Sequence, residues 1–255
     1  MSRITKPPLW DDLDYPTSDG RPMAETDWHR ILMVALIDTL IEFFKAVPRV
    51  YVSGNLLVFY EEGNKRKHLA PDVFVARGVA KRKRPNYLIW REGKPPEVVI
   101  ELTSSTTRKE DITKKFALYR DVLKVKEYFL FDPFEDYLDP PFQGNRLHKG
   151  EYVPIEPVDG RLPSQVLGLH LERAGSDLRL WNAVTGQCLL TPQEAREQAE
   201  EATRQAEEAA QRAEEAARQA QAERNREAEA RHRVEAENER LRREIENLRR
   251  RSRKP

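Results

Sequence analysis

Cysteine is nearly absent from this sequence. Cys188 stands alone among 255 residues, which excludes an intrachain disulfide framework and a cysteine-built zinc cluster. A reducing, cytoplasmic compartment is the natural expectation. Charge of one sign is missing too: 44 Lys and Arg face 43 Asp and Glu, a formal net charge of +1. No global field therefore draws the chain to polyanions, and any nucleic-acid binding has to come from a local site. No apolar run is long enough to span a bilayer. The most apolar stretch, Ile31 to Phe44, is interrupted by Asp38 and Glu42 and reads as a buried amphipathic helix. The opening MSRITKPPLWDD has no apolar core of the kind a secretory leader carries. Also absent are a glycine-rich phosphate loop, a G-x-S-x-G elbow and an H-E-x-x-H pair.

What is present falls into three parts: an irregular, proline-punctuated arm over 1–24, a mixed α/β domain over 25–190, and a charged helix over 191–255. In the domain, TDWHRILMVALIDTLIEFFKA has helical apolar spacing with Thr26 as its N-cap. Short β-type runs follow at Val50–Ser53, Leu56–Tyr60 (after the turn Gly54-Asn55), Asp72–Ala76, Tyr87–Trp90 and Glu97–Leu102. A helix comes next, with Thr107 and Glu110 as a capping box and Ile112, Phe116, Tyr119 and Leu123 as its expected buried stripe. Glu127–Phe131 is a further strand, and from Asp136 to about Leu190 the sequence is turn-rich with short β-like pieces. This order gives a mixed α/β layer fold.

Three pieces of the domain combine into a candidate site. Asp72 opens a strand directly after Pro71, and Glu101 interrupts the otherwise apolar Val98-Val99-Ile100-Glu101-Leu102. A carboxylate there must lie at the sheet's end or meet a cation, because burying it unpaired is costly. Two carboxylates on adjacent strands suit Mg²⁺, which takes one or two carboxylates plus waters and phosphate oxygens. On an α-helical wheel Lys115 lies about 60° from the middle of the buried stripe, whereas Lys114 points away from it. Lys115 is therefore the lysine able to lean toward the strand ends. Taken singly, each residue has an ordinary use: Asp72 as a turn former, Glu101 as a salt-bridge partner, Lys115 as a solvated flank. Their joint order along the chain raises the chemical reading. His29 is expected to be structural.

The segments APDVFV, VVIELTSSTTRKEDITKKFALY and VKEYFLFDP, within Ala70 to Pro133, resemble the Uma-type endonuclease family of bacteria, a branch of the PD-(D/E)XK restriction-endonuclease-like superfamily. The likeness extends over most of residues 20–185, through DGRPMAETDWH and VLGLHL, and leaves out the final helix. It implies a restriction-endonuclease-like mixed sheet flanked by helices, a DNA substrate, Mg²⁺ or Mn²⁺ as cofactor, and Asp72 and Glu101 as metal-binding carboxylates. The superfamily's lysine two residues after the glutamate is replaced here by Thr103, and in this family its function is moved to the next helix, onto Lys115. Glu25 is a further acid that the resemblance brings near the metal, with attraction to the helix N-terminus as its plainer use. The competing expectation is a non-catalytic nuclease-fold module that works through assembly.

Beyond Pro192 no Gly or Pro occurs until the final residue, and Ala, Glu, Arg and Gln dominate, all good helix formers. Alanines 202, 206, 209, 213, 216 and 220 recur in steps of four and three; Val234, Leu241 and Leu248 continue one seam column, with Asn238 and Ile245 in the other. That is coiled-coil spacing, and one polar Asn at the seam favours a fixed two-stranded register. A homo-oligomer through this helix and no membrane partner are expected.

Overall fold

The computed structural model describes residues 15–18, 26–103, 109–136 and 138–252. The chain divides into two compact units, Met1–Glu194 and Ala195–Pro255.

The first unit is built on a six-stranded sheet. Helix α1 (Asp27–Phe43) precedes β1 (Val50–Ser53); β2 (Val58–Phe59), β3 (His68–Leu69), β4 (Val73–Arg77) and β5 (Tyr87–Leu88) follow, then the short α2 (Ile89–Glu92) and β6 (Val98–Leu102). Two π-helical segments, Glu110–Lys115 and Leu118–Val122, cross to β7 (Glu127–Phe131), and β8 (Phe142–His148) and β9 (Glu151–Pro154) complete the main sheet. Its order is β1-β4-β6-β7-β8-β9. Within this sheet only β6 and β7 pair in parallel, joined by a helical crossover long enough to return the chain in the same direction. Strands β10 (Leu162–Ser164), β11 (Leu169–Ala174), β12 (Asp177–Asn182) and β13 (Gln187–Cys188) form a second, antiparallel sheet, and β3-β2-β5 a third.

Side-chain alternation sorts the central strands between two cores. Val73 and Val75 of β4 and Val98, Ile100 and Leu102 of β6 face α1 and the β10–β13 sheet. Phe74, Ala76 and Val99 face the other way, onto Tyr119, Leu123 and Tyr128 beneath the π-helical segments. Asp72 and Glu101 share the parity of Phe74 and Val99 and so belong to this second face. The register agrees, since Val73 stands opposite Ile100 and the next pair outward is Asp72 with Glu101.

Helix α1 begins as expected, with the Thr26 hydroxyl accepting from the His29 backbone N–H at 3.2 Å. Its apolar run is buried on one side only: Leu32, Leu36 and Leu40 are in the core, while Ile31, Val34 and Ile41 are exposed. Tyr15 reaches the β3-β2-β5 sheet and packs on Phe59 with ring centroids 4.8 Å apart.

Three expectations need correction. The stretch from Asp136 to Leu190 carries six strands, including the seven-residue β8. Its sequence, FQGNRLH, is half-exposed along its length and so shows no apolar alternation. The Tyr87–Trp90 run turns into α2 after two strand residues. Ile112, assigned to a buried stripe, is exposed at 38%, and Asp111 is the buried residue instead. The cause is the winding. Bonds such as Phe116 N–H to the Asp111 carbonyl and Leu123 N–H to the Leu118 carbonyl span five residues, so each turn holds more residues than the 3.6 of an α-helix. The inward line becomes 111-115-119-123. The expected cap residue Thr107 lies outside the described residues.

Glycine is required at one place that bears on the site. A Cβ at Gly54 would sit 1.9 Å from the Asp72 carbonyl oxygen and 2.6 Å from Ile37 Cδ1. The next residue, Asn55, donates its N–H to the Pro71 carbonyl at 2.8 Å, tying the β1–β2 turn to the entry of β4.

The second unit is helical. Helix α3, Pro192–Ser252, is 61 residues long and starts in the first unit. Val234, Leu241 and Ile245 are exposed along it at 60%, 49% and 50%. Among the described residues no helix is long and apolar enough to cross a membrane.

Candidate active site

Strand order, strand parity and the π-helical winding bring Asp72, Glu101 and Lys115 together at one end of the central sheet. Glu101 is fully buried. Its Oε1 accepts the Tyr119 hydroxyl at 2.6 Å. Its Oε2 accepts the Lys115 ammonium at 3.1 Å and the Asp72 backbone N–H at 3.4 Å. Asp72 Oδ2 accepts the Leu102 backbone N–H at 2.7 Å, so each carboxylate is braced by the strand that carries the other. Asp72 Oδ1 lies 3.2 Å from His29 Nε2, where the first turn of α1 reaches round the sheet end.

Lys115 is held twice, by Glu101 and, one turn back, by Asp111 Oδ1 at 2.9 Å. The Tyr128 hydroxyl donates to the Asp111 carbonyl at 3.2 Å and braces that turn against β7. Lys114 leaves in the other direction: its side chain is 76% exposed and pairs with Glu110 at 3.3 Å. Glu25 lies outside the described residues.

The electrostatics of the cluster follow from its composition. Three carboxylates, Asp72, Glu101 and Asp111, surround one ammonium in a largely buried site, with the side chains of Asp72 and Lys115 still 15% and 17% exposed. Burial pushes the Glu101 carboxyl up to about 8, with Lys115 opposing the shift and Asp72 and Asp111 adding to it. Burial would by itself lower the pKa of Lys115, but Glu101, Asp111 and Asp72 outweigh it and hold the ammonium charged. Tyr119 is likewise pushed up, by burial and by the Glu101 charge, and remains a hydrogen-bond donor. The site carries more negative charge than its own cation neutralises.

Not every buried carboxylate has this character. Glu127, at the start of β7, accepts from Arg146 Nε and the Gln165 N–H, both at 2.9 Å, and from the Ser164 hydroxyl. It stitches the second sheet to the first. Asp111, Tyr119 and His29 are the neighbours that sequence spacing left without a site role. The four-residue interval 111-115-119 was visible, but only the wider winding makes it one line.

A family model described as "Uma2: Putative restriction endonuclease" matches residues 10–176. This chain belongs to the Uma2 family. The match spans both strands that carry the carboxylates and the π-helical segments, and ends before α3. Among solved structures, one titled as a putative nuclease belonging to DUF820, from Anabaena variabilis ATCC 29413, is similar at 18% identity and a TM-score of 0.43. The likeness covers 59% of this chain and 80% of that one. No curated protein matches.

Among the described residues, no group of three or more His, Cys, Asp and Glu is placed to hold a metal ion by itself. The donors at hand are carboxylate oxygens with surplus negative charge, which fits a hard divalent ion that keeps most of its waters and uses one or two protein carboxylates. Within the Uma2 domain, Asp72 and Glu101 are the residues that would hold it.

Proposed function

We propose that this Uma2 domain hydrolyses phosphodiester bonds in DNA with the help of Mg²⁺ or Mn²⁺, using Asp72, Glu101 and Lys115. The observation that carries the reading is the convergence of these three side chains, with their charge surplus, beside a solvent-accessible groove lined in part by Lys115. A bound divalent ion would supply Lewis-acid stabilisation of the phosphoryl oxygens and lower the pKa of a water. Hydrolysis forms a bond from a water oxygen to phosphorus and breaks a P–O ester bond. The water loses a proton and the leaving oxygen gains one. Lys115, fixed between Glu101 and Asp111, brings a preorganised positive charge to the charge that develops. Tyr119 fixes the rotamer of Glu101, and His29 does the same for Asp72.

The cluster is also self-satisfied, with Lys115 bridging two carboxylates. This supports a second reading, a nuclease fold kept as a non-catalytic assembly module. In either case we propose that α3 pairs with a second copy of the chain in the cytoplasm, through the seam that contains Val234, Leu241 and Ile245.

Nicking of supercoiled plasmid, with Mg²⁺ or Mn²⁺ and with EDTA, separates the two readings. Asp72→Asn and Lys115→Met are expected to lose metal-dependent nicking by about two orders of magnitude or more, and Lys114→Met to retain it. Equal losses for both lysines would reduce Lys115 to general phosphate attraction. A wild-type chain that neither nicks nor binds either ion favours the assembly module.

A further inference from the structure

Next to the carboxylate cluster lies an open groove of about 840 Å³ whose lining includes Lys115 itself. One wall is the β2–β3 hairpin, from Tyr60 to Ala70; the other is the outer face of the π-helical segments, from Glu110 to Val122. The hairpin turn is firmly built. Tyr60 N–H donates to the Lys67 carbonyl at 3.1 Å, Lys67 N–H to the Asn64 carbonyl at 3.1 Å, and Gly63 N–H to the Tyr15 hydroxyl at 2.7 Å. Arg66 and Lys67 extend from that turn along the groove, both exposed. Among the described residues neither has a carboxylate partner within ion-pair distance. The two acids of the lining are already engaged, Glu110 by Lys114 at 3.3 Å and Asp121 by Arg120 at 2.7 Å.

The lower part of the groove has a different chemistry. Leu57 and Leu69 are buried beneath it, and Tyr60 and Leu118 are half-buried along it. A duplex turns only sugars and phosphates toward a wall of this kind and has no use for an aromatic and aliphatic floor. A single strand has one, because its bases are free to stack while its phosphates follow the basic rim.

We infer that the groove binds single-stranded DNA, with phosphates on Arg66 and Lys67 and a base against Tyr60, and leads the strand to Lys115. The inference rests on the nuclease reading for the identity of the ligand. The substrate is then a flap, an overhang or an opened strand in preference to an intact duplex.

Fluorescence anisotropy of the full chain with a labelled oligonucleotide, as a single strand and as the matching duplex, tests this in EDTA over a salt series. The single strand is expected to bind about tenfold tighter than the duplex. Arg66→Gln/Lys67→Gln should make the slope of log affinity against log salt shallower by about 1.4, from roughly 0.7 per phosphate contact on a single strand. Tyr60→Leu, which keeps an apolar side chain, should weaken single-strand binding about tenfold. Equal or tighter duplex binding, or an unchanged slope in the double variant, overturns the inference. Because binding is read without metal, it stands apart from cleavage. Strand binding with no nicking would count against the nuclease reading alone, and nicking with no effect of either groove variant against the groove alone.

Discussion

Glu101 is the residue where charge and burial conflict most, and replacing it tests the electrostatic account directly. Its carboxyl is pushed up to about 8 from an ordinary 4.5. A raised folded-state pKa means that the folded chain binds this proton more tightly than the unfolded chain. Relative to the unfolded state, the folded state is favoured fully below pH 4.5, and that advantage is lost as pH rises through about 8. A shift of this size, at 1.36 kcal/mol per unit, is on the order of 5 kcal/mol across the whole window and about 3 kcal/mol by pH 7. Glu101→Gln removes the titration while leaving an acceptor for the Tyr119 hydroxyl, and Lys115 keeps Asp111 as its partner. The variant is therefore expected to be more stable than the wild type at neutral pH in EDTA, by up to about 3 kcal/mol less the cost of the amide facing Lys115. The assay is urea unfolding of both chains at pH 5, 6, 7 and 8. The stability difference should grow with pH by as much as 1.4 kcal/mol per unit. Taking differences cancels the titrating groups that do not feel the Glu101 charge. A flat difference across that range would refute the reasoning, since it would mean that Glu101 ionises in the folded chain as it does in the unfolded one.

Two further outcomes follow from packing. Gly54→Ala should cost about 1–3 kcal/mol in urea unfolding, because its nearest obstacle is the backbone carbonyl of Asp72, which cannot rotate away as a side chain can. Since that carbonyl belongs to a site residue, nicking should fall further than stability does, and an unchanged unfolding midpoint would show that the turn has room. For the helical unit, sedimentation of the full chain well above micromolar concentration should give a dimer. Leu241→Lys should return it to monomer by charging a seam position that is half-exposed in the single chain; a monomeric wild type would leave α3 to a different partner.

Much of the frame was legible because its signals are local. Strand β7 lies where its apolar run places it, and Thr26 caps α1 through the hydroxyl that marks it in the sequence. That Asp72 and Glu101 share a face also follows from period-two alternation, once the strands are known to be neighbours. The π-helical winding was not legible. Nothing in EDITKKFALYRDV distinguishes five-residue from four-residue hydrogen bonding, because both place good helix formers in the same order. An α-helical wheel chose Lys115 over Lys114, but it also buried Ile112 and gave Asp111 no part. The later strands stayed hidden for another reason: β8 pairs with β7 and closes a hairpin with β9 across Lys149-Gly150, but their half-exposed residues carry no apolar alternation for a local window to find.

The winding of Glu110–Val122 also makes the length of this segment as important as its composition. An α-helix would need fewer residues to cover the same two turns. Removing one residue, Thr113 for instance, with the five-residue bonds kept, would rotate everything on one side of the deletion by roughly a quarter turn relative to the other. Asp111 and Lys115 would part company, and Tyr119 would lose either its bond to Glu101 or its place in the core. No side chain of the cluster need change for the cluster to come apart. The arrangement is encoded in a residue count, and gain or loss of a single codon here would assemble or dismantle it in one step.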